Sequence, residues 1–439
     1  MTPPLSERLY QRLVGTDDGA AGGLDQEVAA AVPRNATRQV GALALQSAGD
    51  LVVDAKTVLA WLLAAVGAPT AVAGLLVPVR ESGSMLPQAA LVPWLRRKPV
   101  RKWVWVAGAV GQFAAVTVMA LLAATATGAT AGWGILAALA GFALARSLTS
   151  LASKDVLGRT IPPGQRGQIN GWASVASGVV AITLGLALRV FGGDETDPVA
   201  LAWLIGVGGL TWLLAAAVFA GVVERPEPDP ADDAPGAVAT AVRLLRDDRP
   251  FRHFVVARTL LLVSALTPPF VVTLAGQQGG AGLAGLGPFV LGSGIASLIG
   301  GRLWGRASDR SSRLVMVAAA VIATGITLTF LAVLQVDALR EAAWLYPTTY
   351  LLLAIAHTGT RIGRKTYVVD LASGNQRTEY VAVSNAAMGL LLLVTGAVSS
   401  AVATQGPQAA LLFLAVLGLV AVPVGLRLPE VSGERAAAG

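Results

Sequence analysis

The chain has 439 residues, of which 54% are hydrophobic and only 13% are charged, and its mean hydropathy is +0.64. An average soluble domain has roughly 25% charged residues, so this composition argues against a water-soluble enzyme and indicates a protein embedded in a membrane. The absence of cysteine and the presence of only two histidines argue against disulfides, thiolate metal sites and catalytic zinc. The net charge of +7 does not indicate nucleic-acid binding, because the basic residues lie in short loops between apolar runs. We therefore expect no metal, no cofactor and no nucleic-acid partner.

Apolar runs separated by glycine, proline and charged clusters predict about twelve membrane-spanning helices, since one crossing of the hydrocarbon core takes about 20 apolar residues. The predicted spans are 44–67, 70–95, 103–125, 131–153, 167–191 and 199–223, and then 252–275, 283–304, 314–335, 342–362, 378–401 and 408–428. The expected fold is an all-α integral membrane protein with an N-terminal tail at 1–43, helix bundles at 44–223 and 252–428, and a C-terminal tail at 429–439. Residues 224–251 join the bundles. Their second half, 237–249, is either a short amphipathic helix on the membrane surface or plain solvated linker.

Basic residues are concentrated in alternate loops, which predicts that these loops stay in the cytoplasm. They are Arg96, Arg97, Lys98, Arg101 and Lys102; Lys154, Arg159 and Arg166; Arg306, Arg310 and Arg313; and Arg364, Lys365 and Arg377. The opposite loops offer little beyond Arg189 and Arg340. Both termini are therefore expected in the cytoplasm, and the protein in the inner (cytoplasmic) membrane.

The chain repeats itself at an offset of 211 residues. The matching positions are Lys154, Arg166 and Gly178 in the first half and Lys365, Arg377 and Gly389 in the second; Ser82 and Gly83 likewise recur as Ser293 and Gly294. Such a repeat between hydrophobic segments predicts two pseudo-symmetric six-helix bundles related by duplication. The paired small residues predict close contacts between helices.

The loop after the eighth predicted span carries a family resemblance. Gly305, Asp309, Arg310 and Arg313 resemble the Gly-x-x-x-Asp-Arg-x-Gly-Arg signature of the major facilitator superfamily, with Ser312 in place of the second Gly. The first-half counterpart, 94–102, departs from the signature, since Trp94 stands for the Gly and Lys98 for the Asp. Arg166 and Arg377 resemble the Arg that opens helices 5 and 11 in that superfamily. The resemblance implies two six-helix bundles around a central cavity, and a cytoplasmic gating role for the residues of the second-half signature.

Four ionisable residues lie near the middle of the first two predicted spans: Asp54, Lys56, Arg80 and Glu81. A charge at the centre of a membrane helix costs about 2.5–3.5 kcal/mol even on lenient scales, so we expect ion pairs between the two helices, either Asp54 with Arg80 or Lys56 with Glu81. These pairs could simply lock the helices together. A transporter also needs groups whose protonation differs between states, and Asp54 or Glu81 is the predicted proton carrier. Asp50 is interpreted as a solvated residue near the helix end.

Further candidates lie in the fourth, seventh and tenth spans. Arg146 and His357 occupy equivalent positions of the repeat, Arg361 follows one turn after His357, and Arg258 precedes the Pro268–Pro269 pair. Arg146, Arg258 and Arg361 are predicted to line the cavity or to form ion pairs. His357 is assigned either to the cavity wall or to a hydrogen bond that merely holds it in place. The two prolines are expected to break the backbone hydrogen-bond ladder in the middle of the membrane, where the freed carbonyls can line a water-filled cavity.

These features predict a secondary active transporter that moves a small organic solute by alternating access, coupled to protons, with export favoured by the family likeness and no enzymatic activity. The excess of arginine indicates an anionic or zwitterionic, partly apolar substrate. Its other partners would be protons and the lipid bilayer, and a monomer is expected. The alternatives are a lipid or amphiphile flippase of the same fold, an uptake symporter for an organic anion, and a receptor that has lost transport. A membrane enzyme would need a compact catalytic set, which the sequence does not offer.

Overall fold

The computed structural model describes residues 25–162, 166–193, 197–226, 237–261, 263–277, 282–371 and 376–431, which are helical with short connections and contain no strand. The first half comprises α1 (Gln26–Val52), α2 (Val58–Ala65), α3 (Thr70–Arg96), α4 (Lys102–Thr125), α5 (Gly128–Thr160), α6 (Arg166–Phe191) and α7 (Pro198–Ala220). A short helix, α8 (Ala237–Asp247), precedes the second half. That half comprises α9 (Arg249–Leu260), α10 (Val263–Gln277), α11 (Gly282–Arg310), α12 (Ser312–Val333), α13 (Asp337–Arg340), α14 (Leu345–Leu371), α15 (Gln376–Val402) and α16 (Pro407–Leu426).

Each predicted span overlaps one helix or, at the start of each half, two consecutive helices. Eight helical segments of the described residues are long and apolar enough to cross a membrane, and the chain is a multi-pass membrane protein. The predicted spans outside this set correspond to α1 with α2, to α3, to α6 and to α14. Charged or strongly polar residues interrupt the hydropathy of α1, α3 and α14.

The first helix begins at Gln26, well before the predicted start at 44. The earlier turns are polar, and hydropathy alone therefore assigned them to a tail. Their polar side chains are satisfied inside the protein: Asn35 exchanges hydrogen bonds of 2.9 and 2.8 Å with the backbone of Val223, and Gln39 donates to Thr160 Oγ1 at 2.8 Å. Burial of a polar group costs little once it is hydrogen-bonded, so this polar helix packs against the end of the same half.

The pseudo-symmetry predicted from the repeat is visible in the packing. In both halves the second span packs on the fourth, the third on the fourth and sixth, and the first on the sixth. The two halves meet through the same pair of positions, because α3 packs on α15 and α6 packs on α11. The second span of each half therefore contacts the fifth span of the other.

Small residues allow these two interfaces to be close. Ser82 Oγ donates to the Gly389 carbonyl at 2.6 Å between α3 and α15. At the other interface a Cβ on Gly294 would lie 3.1 Å from Ala181 Cβ, and one on Gly185 would lie 2.5 Å from the Leu291 nitrogen. The close contacts predicted at Ser82 and Gly294 are confirmed.

The seventh span is interrupted earlier than predicted. The chain is helical up to Leu260 and again from Val263, with residue 262 outside the described residues. Pro268 and Pro269 lie inside α10, so the predicted break in the backbone hydrogen-bond ladder falls within a continuous helix. A proline removes a hydrogen bond to the carbonyl four residues earlier, and this helix continues across that local defect.

Candidate functional site

The side chain of Asp54 holds a break in the first span. Its Oδ1 accepts hydrogen bonds from the backbone N–H of Lys56 at 2.9 Å and from Thr57 Oγ1 at 3.0 Å. The Asp54 carbonyl accepts from the Leu59 N–H at 3.0 Å, at the start of α2. Aspartate side chains commonly stabilise turns and helix starts in this way. The predicted ion pair between Asp54 and Arg80 is wrong, because Arg80 has another carboxylate partner.

That partner is Asp50, one turn earlier on α1. Asp50 Oδ1 lies 3.1 Å from Arg80 Nη2, and Asp50 Oδ2 lies 2.8 Å from Arg146 Nη2. The Asp50 side chain is 19% exposed, so the interpretation of Asp50 as a solvated end residue is wrong. Asp50 faces α3 and α5 rather than the helix end, and it joins three helices through one carboxylate.

The Asp50 triad, defined as Asp50, Arg80 and Arg146, has one more positive than negative charge. Arg80 is further held by the Val53 carbonyl, to which it donates, and it lies over the Phe142 ring at 5.3 Å from the centroid. Arg146 Nη1 is buried without a hydrogen-bond partner. The triad therefore retains a donor and a net positive charge inside the first half.

A second charged group lies between the break in the first span, α3 and α14. The Lys56 ammonium group interacts electrostatically with the charges of Glu81, Asp54, Arg361 and Arg364. The predicted direct pair of Lys56 with Glu81 is not formed among the described residues, although the two act on each other through space. Glu81 also acts on Arg364. We call Asp54, Lys56, Glu81, Arg361 and Arg364 the central cluster.

In the second half, two predicted residues bind polar neighbours rather than carboxylates. His357 Nδ1 lies 3.2 Å from Ser264 Oγ, which joins α14 to α10. Arg258 is buried on α9, where its Nη1 donates to Ser384 Oγ at 2.8 Å and its Nη2 to Asn385 Oδ1 at 2.9 Å. His357 thus has a hydrogen bond that can hold it in place, and Arg258 lies within the second half.

The signature residues lie where α11 ends and α12 begins. Gly305 and Arg310 belong to the last turns of α11, and Arg310 is exposed. The backbone of Asp309 is helical, while its side chain lies outside the described residues. Arg313 Nε lies 3.5 Å from Glu430 Oε2, beyond the end of α16. The signature therefore contacts the segment that follows the last helix.

The degraded first-half copy makes a related contact. The Glu224 carboxylate, just after α7, accepts from the backbone N–H of Arg101 at 3.0 Å and of Lys102 at 2.8 Å, at the start of α4. The Arg101 side chain reaches Asp155 at 2.5 Å, and Arg159 lies 3.4 Å from the same carboxylate. A carboxylate at a helix N-terminus interacts favourably with the helix dipole.

Glu224 and Glu430 thus fix the start of the third span to the end of the sixth in their respective halves. Arg166 is the first residue of α6 and Arg377 the second of α15, at the same end of the molecule. Their side chains lie outside the described residues, so the roles implied for them stay predictions.

Sequence reasoning missed Asp50 and Arg364. Arg364 was assigned to a loop after a span ending at 362, but α14 continues to Leu371. Arg364 lies inside that helix, and its Nη1 donates to Met388 Sδ at 2.7 Å. A span predicted from hydropathy ends at a charged residue, even where the helix itself continues. Asp50 lies one turn before Asp54 in sequence, but α1 ends at Val52, and hydropathy gave no signal of that end.

No group of three or more metal-ligating side chains occurs among the residues that the structure describes.

Comparison with known proteins gives a match in fold alone. No protein-family model and no curated protein matches the sequence. A D-xylose–proton symporter superposes with a TM-score of 0.68 at 13% identity, over 91% of this chain and 99% of that one. A POT family transporter in complex with 5-aminolevulinic acid superposes with a TM-score of 0.68 at 11% identity, over 90% of this chain and 95% of that one. A bacterial homologue of the iron transporter ferroportin, in an inward-facing state, superposes with a TM-score of 0.63 at 18% identity, over 90% of this chain and 98% of that one. The likeness extends over nearly the full length of all three chains.

Proposed function

We propose that this chain, which has the major facilitator fold, is a secondary active transporter that moves a small organic solute by alternating access. The fold is the one that the resemblance of the signature loop implies, and the structures on which it superposes include a POT family transporter and a D-xylose–proton symporter. The observation that carries the proposal is the central cluster. Ionisable groups inside membrane spans are costly and mark substrate or ion pathways, and here they lie on helices from both halves.

We propose Glu81 rather than Asp54 as the proton carrier. Asp54 uses its Oδ1 to hold the break in the first span, so its carboxylate has a structural task. Glu81 has no ion pair among the described residues, yet its charge acts on Lys56 and Arg364. Protonation of Glu81 would remove its attraction for Lys56, in the break of the first span, and for Arg364 on α14, which belong to different halves. Such a change can bias the packing of the halves.

The contacts between the halves favour a state closed at the end away from the termini. Ser400 Oγ donates to the Ala71 carbonyl there, and a Cβ on Gly276 would lie 2.9 Å from Ala64 Cβ. With both termini placed in the cytoplasm, this proposal makes the closed end periplasmic. Export remains the proposed direction because of the family likeness. Uptake of an organic anion with protons is the second candidate, favoured by the net positive charge of the Asp50 triad.

The test is proton movement in liposomes that contain the purified protein and an internal pH-sensitive dye. Acidic, zwitterionic, neutral and cationic solutes are added in turn, and labelled phospholipid is tested in parallel for flipping. We expect one solute class to drive proton movement in the wild type, and Glu81→Gln to abolish the coupling. Asp54→Asn, which keeps an oxygen acceptor at the break, should retain it.

Glu341→Gln is the control, since Glu341 is exposed between α13 and α14. Lipid flipping without solute transport would favour the flippase. Unchanged coupling in Glu81→Gln would remove Glu81 as the carrier.

A further inference from the structure

Two arginines of the second half, the buried Arg258 and the partly buried Arg364, approach one weak acceptor. Arg258 Nη2 lies 2.9 Å from Met388 Sδ, and Arg364 Nη1 lies 2.7 Å from the same sulfur, so both guanidinium groups crowd against it. A thioether is a weak hydrogen-bond acceptor, whereas guanidinium groups prefer carboxylate or phosphate oxygens, often with two bonds at once. The two cations therefore meet at an atom that cannot neutralise them.

Both guanidinium groups also retain unused donors. The Nε atoms of Arg258 and Arg364 are buried without a hydrogen-bond partner, and Arg258 as a whole is only 6% exposed. No carboxylate among the described residues forms an ion pair with either arginine, although the charge of Glu81 acts on Arg364. A buried charge without a counter-ion is unfavourable. The packing of α9, α14 and α15 holds these two like charges together against their repulsion.

We infer that Arg258 and Arg364, with Asn385 and Met388 between them, form a binding site for an oxyanion, a carboxylate or a phosphate-like group of the transported solute. An oxyanion would replace the sulfur next to Arg258 Nη2 and Arg364 Nη1, accept from the unpartnered Nε donors, and neutralise the pair. This inference names the substrate class of the proposed transporter and so rests on that function, but binding is measured without transport.

The experiment measures equilibrium binding of radiolabelled sulfate, with succinate and inorganic phosphate as competitors, to the purified full-length protein in detergent. Chloride keeps the ionic strength constant, so that general salt effects are equal in all samples. We expect saturable sulfate binding to the wild type. Arg258→Gln and Arg364→Gln should each weaken it by about tenfold or more, the equivalent of losing one charge-assisted hydrogen bond.

Arg189→Gln is the matched control, because Arg189 is an exposed arginine in the last turn of α6. It removes the same charge from the protein and should leave sulfate affinity unchanged. Should either Gln variant fail to fold, Arg258→Lys and Arg364→Lys keep the charge but lose the planar fork. They should still bind sulfate several-fold more weakly than the wild type.

Two variants separate an anion site from a merely structural contact. Met388→Leu conserves volume and removes the sulfur, so both arginines lose an acceptor. It should bind sulfate at least as tightly as the wild type. Glu81→Gln removes a negative charge that acts on Arg364 and should tighten binding.

Absence of saturable binding, or equal affinity in the wild type and the arginine variants, would overturn the anion site. Binding that depends on these arginines, combined with no transport of any solute, would instead contradict the proposed function. Transport of a solute without oxyanion binding would leave that function standing and remove this site.

Discussion

Asp50 is the residue whose loss should harm the first half most. Asp50→Asn leaves Arg80 and Arg146 without their carboxylate, whereas Arg80→Gln leaves Asp50 paired with Arg146. Breaking a buried pair by removing one partner costs about 3–5 kcal/mol, and the 19% exposure of Asp50 favours the lower end. We expect Asp50→Asn to lower the thermal unfolding midpoint in detergent more than Arg80→Gln does.

Asp337→Asn provides the comparison, because Asp337 is 86% exposed in its pair with Arg340. Such surface pairs contribute about 0–1 kcal/mol. If Asp50→Asn and Asp337→Asn had the same thermal unfolding midpoint, the proposal that the Asp50 triad stabilises the first half would be contradicted.

A double-mutant cycle distinguishes the two possible partners of Arg80. Residues that share an ion pair show interaction energies of about 0.5–3 kcal/mol, while unconnected sites add independently. The cycle of Arg80→Gln with Asp50→Asn should therefore show coupling in unfolding free energy. The cycle of Arg80→Gln with Asp54→Asn should show little, because the Asp54 oxygen is bonded to Lys56 and Thr57. Coupling confined to the Asp54 cycle would restore the pairing that the sequence first suggested.

These residues show how far sequence reasoning reaches at a charged site. The presence of buried charges on the first two spans could be predicted from composition and hydropathy, and Arg80 does form an ion pair. Its partner could not be predicted from depth along the helices, because the break after Val52 changes where Asp54 points. A difference of one helical turn between Asp50 and Asp54 decides the pairing, and helix boundaries read from hydropathy are not accurate to one turn.

At the scale of a helix, the break in the first span gives a prediction about Asp54. Asp54→Ala removes the acceptor for Lys56 N–H and Thr57 Oγ1, whereas Asp54→Asn keeps a carbonyl oxygen there. Loss of a typical intramolecular hydrogen bond costs about 0.5–1.5 kcal/mol. We expect Asp54→Ala to lower the unfolding midpoint and Asp54→Asn to stay close to the wild type.

The two variants are compared by thermal unfolding in the same detergent, with monodispersity checked by gel filtration. Equal destabilisation by both would mean that the negative charge of Asp54, rather than its hydrogen bonds, maintains the break.

Helix ends were the least predictable elements, for a physical reason that differs between them. In α1 the polar residues Asn35 and Gln39 are hydrogen-bonded inside the protein, so the helix extends beyond its apolar run. In α14 the helix continues past Arg364 because the guanidinium is accommodated between helices. A hydropathy scale measures the free-energy cost of placing a residue in lipid. The side chains of Asn35, Gln39 and Arg364 contact protein groups instead.

For the whole molecule, the repeat was the strongest predictor. The positions related by 211 residues lie on helices with equivalent neighbours, and the two interfaces between the halves use equivalent spans. The first-half copy at 94–102 departs from the signature, but the contact between the start of the third span and the end of the sixth is present in both halves. Glu224 binds the start of α4 in the first half, and Glu430 lies close to Arg313 in the second. A motif search detects residue identities, while duplication preserves the geometry even after those identities change.

Alternating access requires the halves to separate at the end where they now touch, and the cysteine-free sequence makes this testable by cross-linking. Because a Cβ on Gly276 would lie 2.9 Å from Ala64 Cβ, Gly276→Cys with Ala64→Cys should form a disulfide between the halves after slight relaxation. Oxidation should stop solute exchange in proteoliposomes, and reduction should restore it.

The matched control is Gly132→Cys with Ala68→Cys. These positions have a similar separation of 2.8 Å but lie within the first half, so oxidation should leave exchange unchanged. Continued exchange with the first pair fully cross-linked would mean that this end stays closed throughout the cycle, and alternating access by separation of the halves would be excluded.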